Sequence, residues 1–131
     1  IAVLDQRSRR VTLVSAGHPP AFHFRAATGD SRELGGAAVP LGTRLESRLV
    51  EQSAELGPGD VLVFYSDGII EATDLRNEMF GDERVQQALD RAATGHSAAE
   101  IRTMILETVH RFKGDVELRD DLTLVVAKLS G

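Results

Sequence analysis

Five consecutive apolar residues, Val61-Leu62-Val63-Phe64-Tyr65, lie between a Gly57-Pro58-Gly59-Asp60 turn and an abrupt Ser66-Asp67-Gly68 stop. A strand that is apolar at every position suits a sheet covered on both faces. The rest of the chain must therefore supply those covers. With 131 residues it has about one domain's worth of material. A chain of that size buries roughly two-thirds of its unfolded surface.

Upstream, the runs Ile1 to Leu4 and Val11 to Ser15 flank the polar Asp5 to Arg10, a hairpin pattern. Pro19 and Pro20 then remove two ladder donors and break the chain after Ala16-Gly17-His18. Ala21 to Arg25 alternates Phe22 and Phe24 with His23 and Arg25, which predicts a strand with His23 facing solvent or a partner. Gly29-Asp30 marks a turn, Glu33-Leu34 a short returning strand, Gly35 to Gly42 a loop, and Arg48 to Leu56 a further alternating stretch. Downstream, Phe80 to Ala93 places Val85, Ala88, Leu89 and Ala92 on one helical face. Ser97 with Glu100 forms a capping box ahead of Ile101, Met104, Ile105, Val109 and Phe112, and Lys113-Gly114 stops that helix. Met104 and Phe112 read as core. Leu122 to Leu129 is the last strand. Strands, two helices and a strand make an α+β chain, with an antiparallel or mixed sheet covered by helices on one face.

Composition removes several functions. The chain has no cysteine, hence no disulfide, thiolate zinc site or cysteine nucleophile. Absence of cysteine also fits a reducing compartment, and a cytoplasmic location is expected. The net charge is −5 and the 13 Arg and 2 Lys are scattered, which argues against nucleic acid as a partner. No apolar run approaches membrane-spanning length. The start, Ile1-Ala2-Val3-Leu4, reads like the inside of a strand, so the chain is expected to be a piece of something longer.

The chemistry-bearing feature is a carboxylate at each of two strand ends. Asp67 follows the Val61 to Tyr65 strand, and Asp120-Asp121 precede the Leu122 to Leu129 strand. If these strands pair antiparallel, about 4.8 Å apart, the acids converge. Two such charges about 4 Å apart repel by roughly 4 kcal/mol at an effective dielectric near 20. A shared proton, the nearby Arg119, or a hard dication such as Mg²⁺ or Mn²⁺ would relieve that repulsion. Asp-Gly is also an ordinary turn pair, and an Asp before a strand an ordinary loop residue. His18 is either a loop histidine or a ligand contact. His96 and His110 have structural explanations at helix ends.

Six segments occur in one order: Ala16-Gly17-His18-Pro19-Pro20, Val39-Pro40-Leu41-Gly42, Leu56-Gly57-Pro58-Gly59-Asp60, Tyr65-Ser66-Asp67-Gly68-Ile69-Ile70-Glu71-Ala72, Glu78-Met79-Phe80-Gly81 and Asp120-Asp121-Leu122-Thr123-Leu124-Val125-Val126. In that order they resemble the C-terminal part of a PPM-type, metal-dependent serine/threonine protein phosphatase of the bacterial sporulation stage II protein E (SpoIIE-like) branch. The resemblance implies part of an α-β-β-α sandwich with antiparallel sheets flanked by helices, and two Mn²⁺ or Mg²⁺ ions at one end of it. By motif, Asp67 and Asp120 would be metal ligands and catalytic residues, with Asp121 behind them or a weak ligand. Glu71 and His18 would have supporting roles. The substrate implied is a phosphorylated anti-sigma-factor antagonist. The family's Gly-Asp motif, which supplies the bridging ligand, is not found in these residues. The expectation is therefore that residues 1–131 are the C-terminal portion of such a domain, with the N-terminal half absent, weak or inactive alone, and prone to self-association through open sheet edges. The alternative is a non-catalytic, degenerate phosphatase that acts as an interaction module.

Overall fold

The computed structural model describes residues 1–36, 38–43 and 49–130. Ala37 of the Gly35 to Gly42 loop and Arg48 of the alternating Arg48 to Leu56 stretch lie outside the described residues. Seven strands and three helices follow one another as β1 (Ala2–Asp5), β2 (Arg10–Val14), β3 (Ala21–Arg25), β4 (Asp30–Leu34), β5 (Glu51–Glu55), β6 (Val61–Tyr65), α1 (Asp67–Ile70), α2 (Gly81–Ala92), α3 (Ala98–Lys113) and β7 (Leu124–Lys128) among the described residues. They form two antiparallel sheets, β1-β2-β5 and β4-β3-β6-β7.

The all-apolar β6 is an inner strand of the four-stranded sheet. Val61, Val63 and Tyr65 enter a core shared with Ile69, Phe80, Val85, Leu89, Ile101 and Ile105, under the helices. Leu62 enters a second core with Val11, Leu13, Ala54 and Leu56, between the two sheets, and Phe64 packs against it. Each face of β6 therefore has its own cover, which is why the period-2 pattern disappears from its sequence. Helices α2 and α3 cover the outer face of the four-stranded sheet, and the smaller sheet covers the inner one. The result is an α+β sandwich with antiparallel sheets flanked by helices.

Local chemistry explains the elements. Ser97 Oγ accepts from Glu100 N–H at 3.3 Å and Glu100 Oε2 accepts from Ser97 N–H at 2.7 Å, so two orphan donors of α3 are met reciprocally. Tyr65 Oη donates to Asp82 Oδ1 at 2.7 Å and pins the end of β6 to the first turn of α2. Burial, then the Asp82 bond and charge, push the Tyr65 phenol upward, so it remains a donor. Lys128 Nζ donates to the carbonyls of Ala93 and His96, tying β7 to the connection between α2 and α3. The structure adds α1, a single turn directly after β6 that the hydrophobic pattern does not signal. Met104 and Phe112 pack against the larger core while half-buried.

His23 corrects the strand reading. It is fully buried, with Nε2 2.8 Å from Asp60 Oδ2. Alternation along β3 separates two faces but does not say that one is wet; here both are covered. Asp60 also accepts from Gly57 N–H and Ala26 N–H, each at 2.9 Å. Burial pushes the Asp60 carboxyl up, but the Gly57, His23 and Ala26 hydrogen bonds and the His23 charge outweigh it and hold the group below the usual carboxylate range.

At the opposite margin β1 is an edge strand, exposed at all four positions, with Val3 60% and Leu4 43% accessible. No helix among the described residues is long and apolar enough to cross a membrane.

Candidate active site

Strands β6 and β7 pair antiparallel with Tyr65 opposite Leu124. The end of β6 therefore lies beside the start of β7, as the two carboxylate-bearing strand ends require. Ser66 extends the junction by one step. Its N–H donates to Thr123 O at 3.0 Å, its Oγ accepts from Thr123 N–H at 3.0 Å, and its hydroxyl donates to Asp121 O at 3.1 Å. One small side chain thus staples the turn after β6 to the segment before β7.

Beyond the staple the two backbones nearly touch. A Cβ on Gly68 would sit 2.4 Å from Asp121 O and 3.1 Å from Asp121 C. Both are main-chain atoms, so no rotamer change would relieve the clash. Gly68 is needed for this approach rather than for the turn that Asp-Gly suggests in the sequence. The signal was present as a glycine, but its reason lies more than fifty residues away in the chain.

The three acids emerge around this contact, and all are exposed. Among the described residues Asp67 Oδ1 accepts only from Gly68 N–H, at 3.1 Å, and Asp120 Oδ1 only from Asp121 N–H, at 2.7 Å. No hydrogen bond reaches the Asp121 carboxylate among the described residues. Each acid therefore keeps free lone pairs directed away from the core. The structure brings the Asp67-Gly68 and Asp120-Asp121 segments together. Among the described residues, no group of three or more His, Asp or Glu is placed to hold a metal ion. The donors present are oxygen only, the kind that Mg²⁺ or Mn²⁺ takes.

Two neighbours define the surroundings. Arg119, a candidate neutraliser, turns its Nη2 to Asn77 Oδ1 at 3.4 Å, and no ion pair joins it to Asp67, Asp120 or Asp121 among the described residues. Asn77 belongs to a turn built on Asp74, whose Oδ1 accepts from Arg76 N–H at 2.8 Å and Glu78 N–H at 3.0 Å. The Glu78 backbone bond, with the Arg76 hydrogen bonds and charge, outweighs the opposing effect of desolvation and holds the Asp74 carboxyl below its usual range. Glu71 caps α1 through its N–H to Asp67 O, and with Gly68, Arg119 and Asp120 it lines a small depression.

His18 sits elsewhere. Its Nδ1 lies 3.0 Å from Pro19 O, Ser15 Oγ donates to its carbonyl at 3.0 Å, and the ring lines an apolar cavity of about 360 Å³ with Leu13, Leu41 and Phe64. Among the described residues no carboxylate lines that cavity. The backbone contacts of His18 are those of a loop-ordering residue.

Residues 1–130 match the sequence profile of the family described as stage II sporulation protein E. Phosphoserine phosphatase RsbU of Bacillus subtilis (strain 168) is 30% identical over 118 residues, which are 89% of this chain and 34% of RsbU. Protein IcfG of Synechocystis sp. is 27% identical over 124 residues, 94% of this chain and 19% of IcfG. The chain thus spans about a third or less of these relatives. Among solved structures, the SiaA-PP2C domain of Pseudomonas aeruginosa superposes with a TM-score of 0.81 at 20% identity, covering 95% of this chain and 48% of that one. The phosphatase domain of the cell fate determinant SpoIIE from Bacillus subtilis (Mn presoaked) gives 0.75 at 21% identity, covering 99% of this chain and 55% of that one. At those identities the likeness is one of fold.

Proposed function

We propose, because the chain belongs to the stage II sporulation protein E family of PPM-type phosphatases, that it forms the C-terminal portion of a domain that hydrolyses phosphoserine or phosphothreonine in a protein. The reading rests on one observation above the others: β6 and β7 pair so that Asp67 and Asp120-Asp121 lie across a backbone contact that only glycine permits. Asp67 and Asp120 are the proposed Mn²⁺ or Mg²⁺ ligands and catalytic residues. Asp121 is a weaker ligand or a support behind them. When bound, such ions lower the pKa of water and neutralise charge on a transferring phosphoryl group. The chain's own residues hold the acids in place: Ser66 staples the two segments, Gly68 allows their approach, and α1 fixes Asp67 against Glu71. That Arg119 points to Asn77 supports the dication over an internal ion pair as the relief for the clustered charge.

The proposed substrate is a phosphorylated anti-sigma-factor antagonist, and the proposed location is the cytoplasm. The name of RsbU, a phosphoserine phosphatase, supports the choice of substrate class. Among the described residues no group of three or more such acids is placed to hold a metal ion, so the 131-residue chain is expected to release phosphate weakly or not at all by itself. The exposed edge strand β1 is proposed to pair with a further strand, and in the isolated chain to promote self-association. A monodisperse monomer in light scattering would contradict that last point.

The test of the activity is Mn²⁺-dependent phosphate release from a phosphoserine protein by a longer chain that includes residues 1–131, with Asp67→Asn and Asp120→Asn as variants. Loss of turnover in both, with unchanged melting, supports the assignment. Full turnover in either variant at limiting Mn²⁺ removes that residue from the site.

A further inference from the structure

We propose that the outer groove between α2 and α3 is a docking site for an acidic amphipathic helix of a partner protein. The groove encloses about 290 Å³, and its charged lining residues are Arg84, Arg91 and Arg111, with no carboxylate among them. This is unusual in a chain whose net charge is −5. The residues follow from helix periodicity. Arg84, Ala88 and Arg91 recur at intervals of four and three along α2, and Thr108 and Phe112 at an interval of four along α3, giving two facing stripes. The inward stripes carry Val85, Leu89, Ile101, Ile105 and Val109, all buried against the sheet side. The groove therefore opens on the side that the sheet does not use.

The three arginines are not equivalent. Arg84 is fixed: its Nη1 donates to the carbonyls of Met79 and Phe80, both at 2.9 Å, and its guanidinium lies 4.8 Å from the Phe112 ring centroid. Its ion pair with Glu78 is long, at 3.9 Å. Arg91 and Arg111 are exposed, and neither side chain makes a hydrogen bond or ion pair among the described residues. Both lie in the last turns of their helices, where the dipole favours a cation. That explains why an arginine is tolerated there. Between them lies a floor of Ala88, itself 6% exposed, and the half-buried Phe112, both at the rim of the larger core. Arg84 and Arg91 are seven residues apart, about 10 Å along α2. A ligand with carboxylates at the same spacing and an apolar side chain between them would pair with both poles and cover the floor. On a helix this means acids at i and i+7 with leucines at i+3 and i+4, the helix-in-groove mode of recognition. The proposal is independent of the metal reading, because no groove residue belongs to the carboxylate cluster.

The test is fluorescence anisotropy with the chain and a labelled helical peptide bearing Glu at i and i+7 around Leu at i+3 and i+4. Saturable binding that weakens with salt is expected, because exposed charge pairs are screened. R91E/R111E should weaken binding by about tenfold or more and gain affinity for the same peptide with Lys in place of Glu. Thermal melting checks the fold of that variant, and R91Q/R111Q replaces it if melting falls, with the same loss expected. The proposal is overturned by absence of saturable binding, by unchanged affinity in the variants, or by equal binding of the Glu and Lys peptides. It is also overturned if phosphatidylglycerol vesicles bind through the same arginines more tightly than the peptide does, which would make the groove a lipid site.

Discussion

Strand β6 carries an aspartate just beyond each end, and the two do opposite things. Asp60, before Val61, is buried and accepts hydrogen bonds from two backbone N–H groups and His23. Asp67, after Tyr65, is exposed and, among the described residues, accepts only from the N–H of the next residue. The side chains are chemically identical. Donors saturate one, and its charge is used up inside the fold. The other keeps its lone pairs beside the backbone of Asp120 and Asp121, whose carboxylates make no ion pair among the described residues. Burial and the supply of donors decide whether a carboxylate is structural or available for binding.

The comparison breaks most easily at the buried end. Asp60→Ala would leave His23 without its partner and two backbone donors unpaired. Removing one member of a buried pair costs about 3–5 kcal/mol, so urea unfolding should show a loss of that order. A loss below about 1 kcal/mol would mean that water replaces the carboxylate there. Next is Gly68→Ala, which forces a methyl group into Asp121 O. Overpacking of this kind costs about 1–3 kcal/mol. The same variant should lose Mn²⁺ affinity, which a purely structural glycine would not affect.

Acid sharpens the contrast further. The Asp60 carboxyl is depressed in the folded state relative to its ordinary value of 3.8. Its stabilisation is therefore fully present above that value and is lost as pH falls through the folded value. Urea midpoints measured from about pH 5 downward should fall less in Asp60→Ala than in the parent chain. Parallel curves would contradict the pairing. The smallest stability effect belongs to Asp67→Asn, expected to lie within about 0.5 kcal/mol of the parent, as for exposed sites generally. Its Mn²⁺ affinity should nonetheless fall by more than about tenfold, the lower end for disturbing even a residue behind a metal ligand.

Much of this was legible in the sequence where one local rule sufficed. The Val61 to Tyr65 run announced a doubly covered strand, and Ser97 with Glu100 announced a helix start. The adjacency of Asp67 and Asp120 followed from assuming antiparallel pairing of their strands, which the register bears out. That they would be metal ligands is what the resemblance implies; spacing alone leaves a shared proton, Arg119 and a dication open. What the sequence hid depends on partners distant in the chain. His23 reads as facing solvent or a partner because alternation separates faces without saying what covers them. Gly68 looked like a turn residue because the Asp121 carbonyl that demands it arrives from the other end of the chain. Helix α1 is a single turn, too short to establish a 3.6-residue period. Asp60 read as part of a turn, although it anchors three donors at once.

The central claim is that the carboxylates after β6 and before β7 grip a divalent ion while the carboxylate before β6 does not. Paramagnetic broadening of backbone amide signals by added Mn²⁺ tests it in the chain itself, without any activity. The account predicts selective loss of the signals of Asp67, Gly68, Asp120 and Asp121, with those of Ala26, Gly57 and Asp60 unaffected, and no such selectivity in Asp67→Asn. Broadening that spreads evenly over the exposed acids, or that persists unchanged in Asp67→Asn, would contradict it.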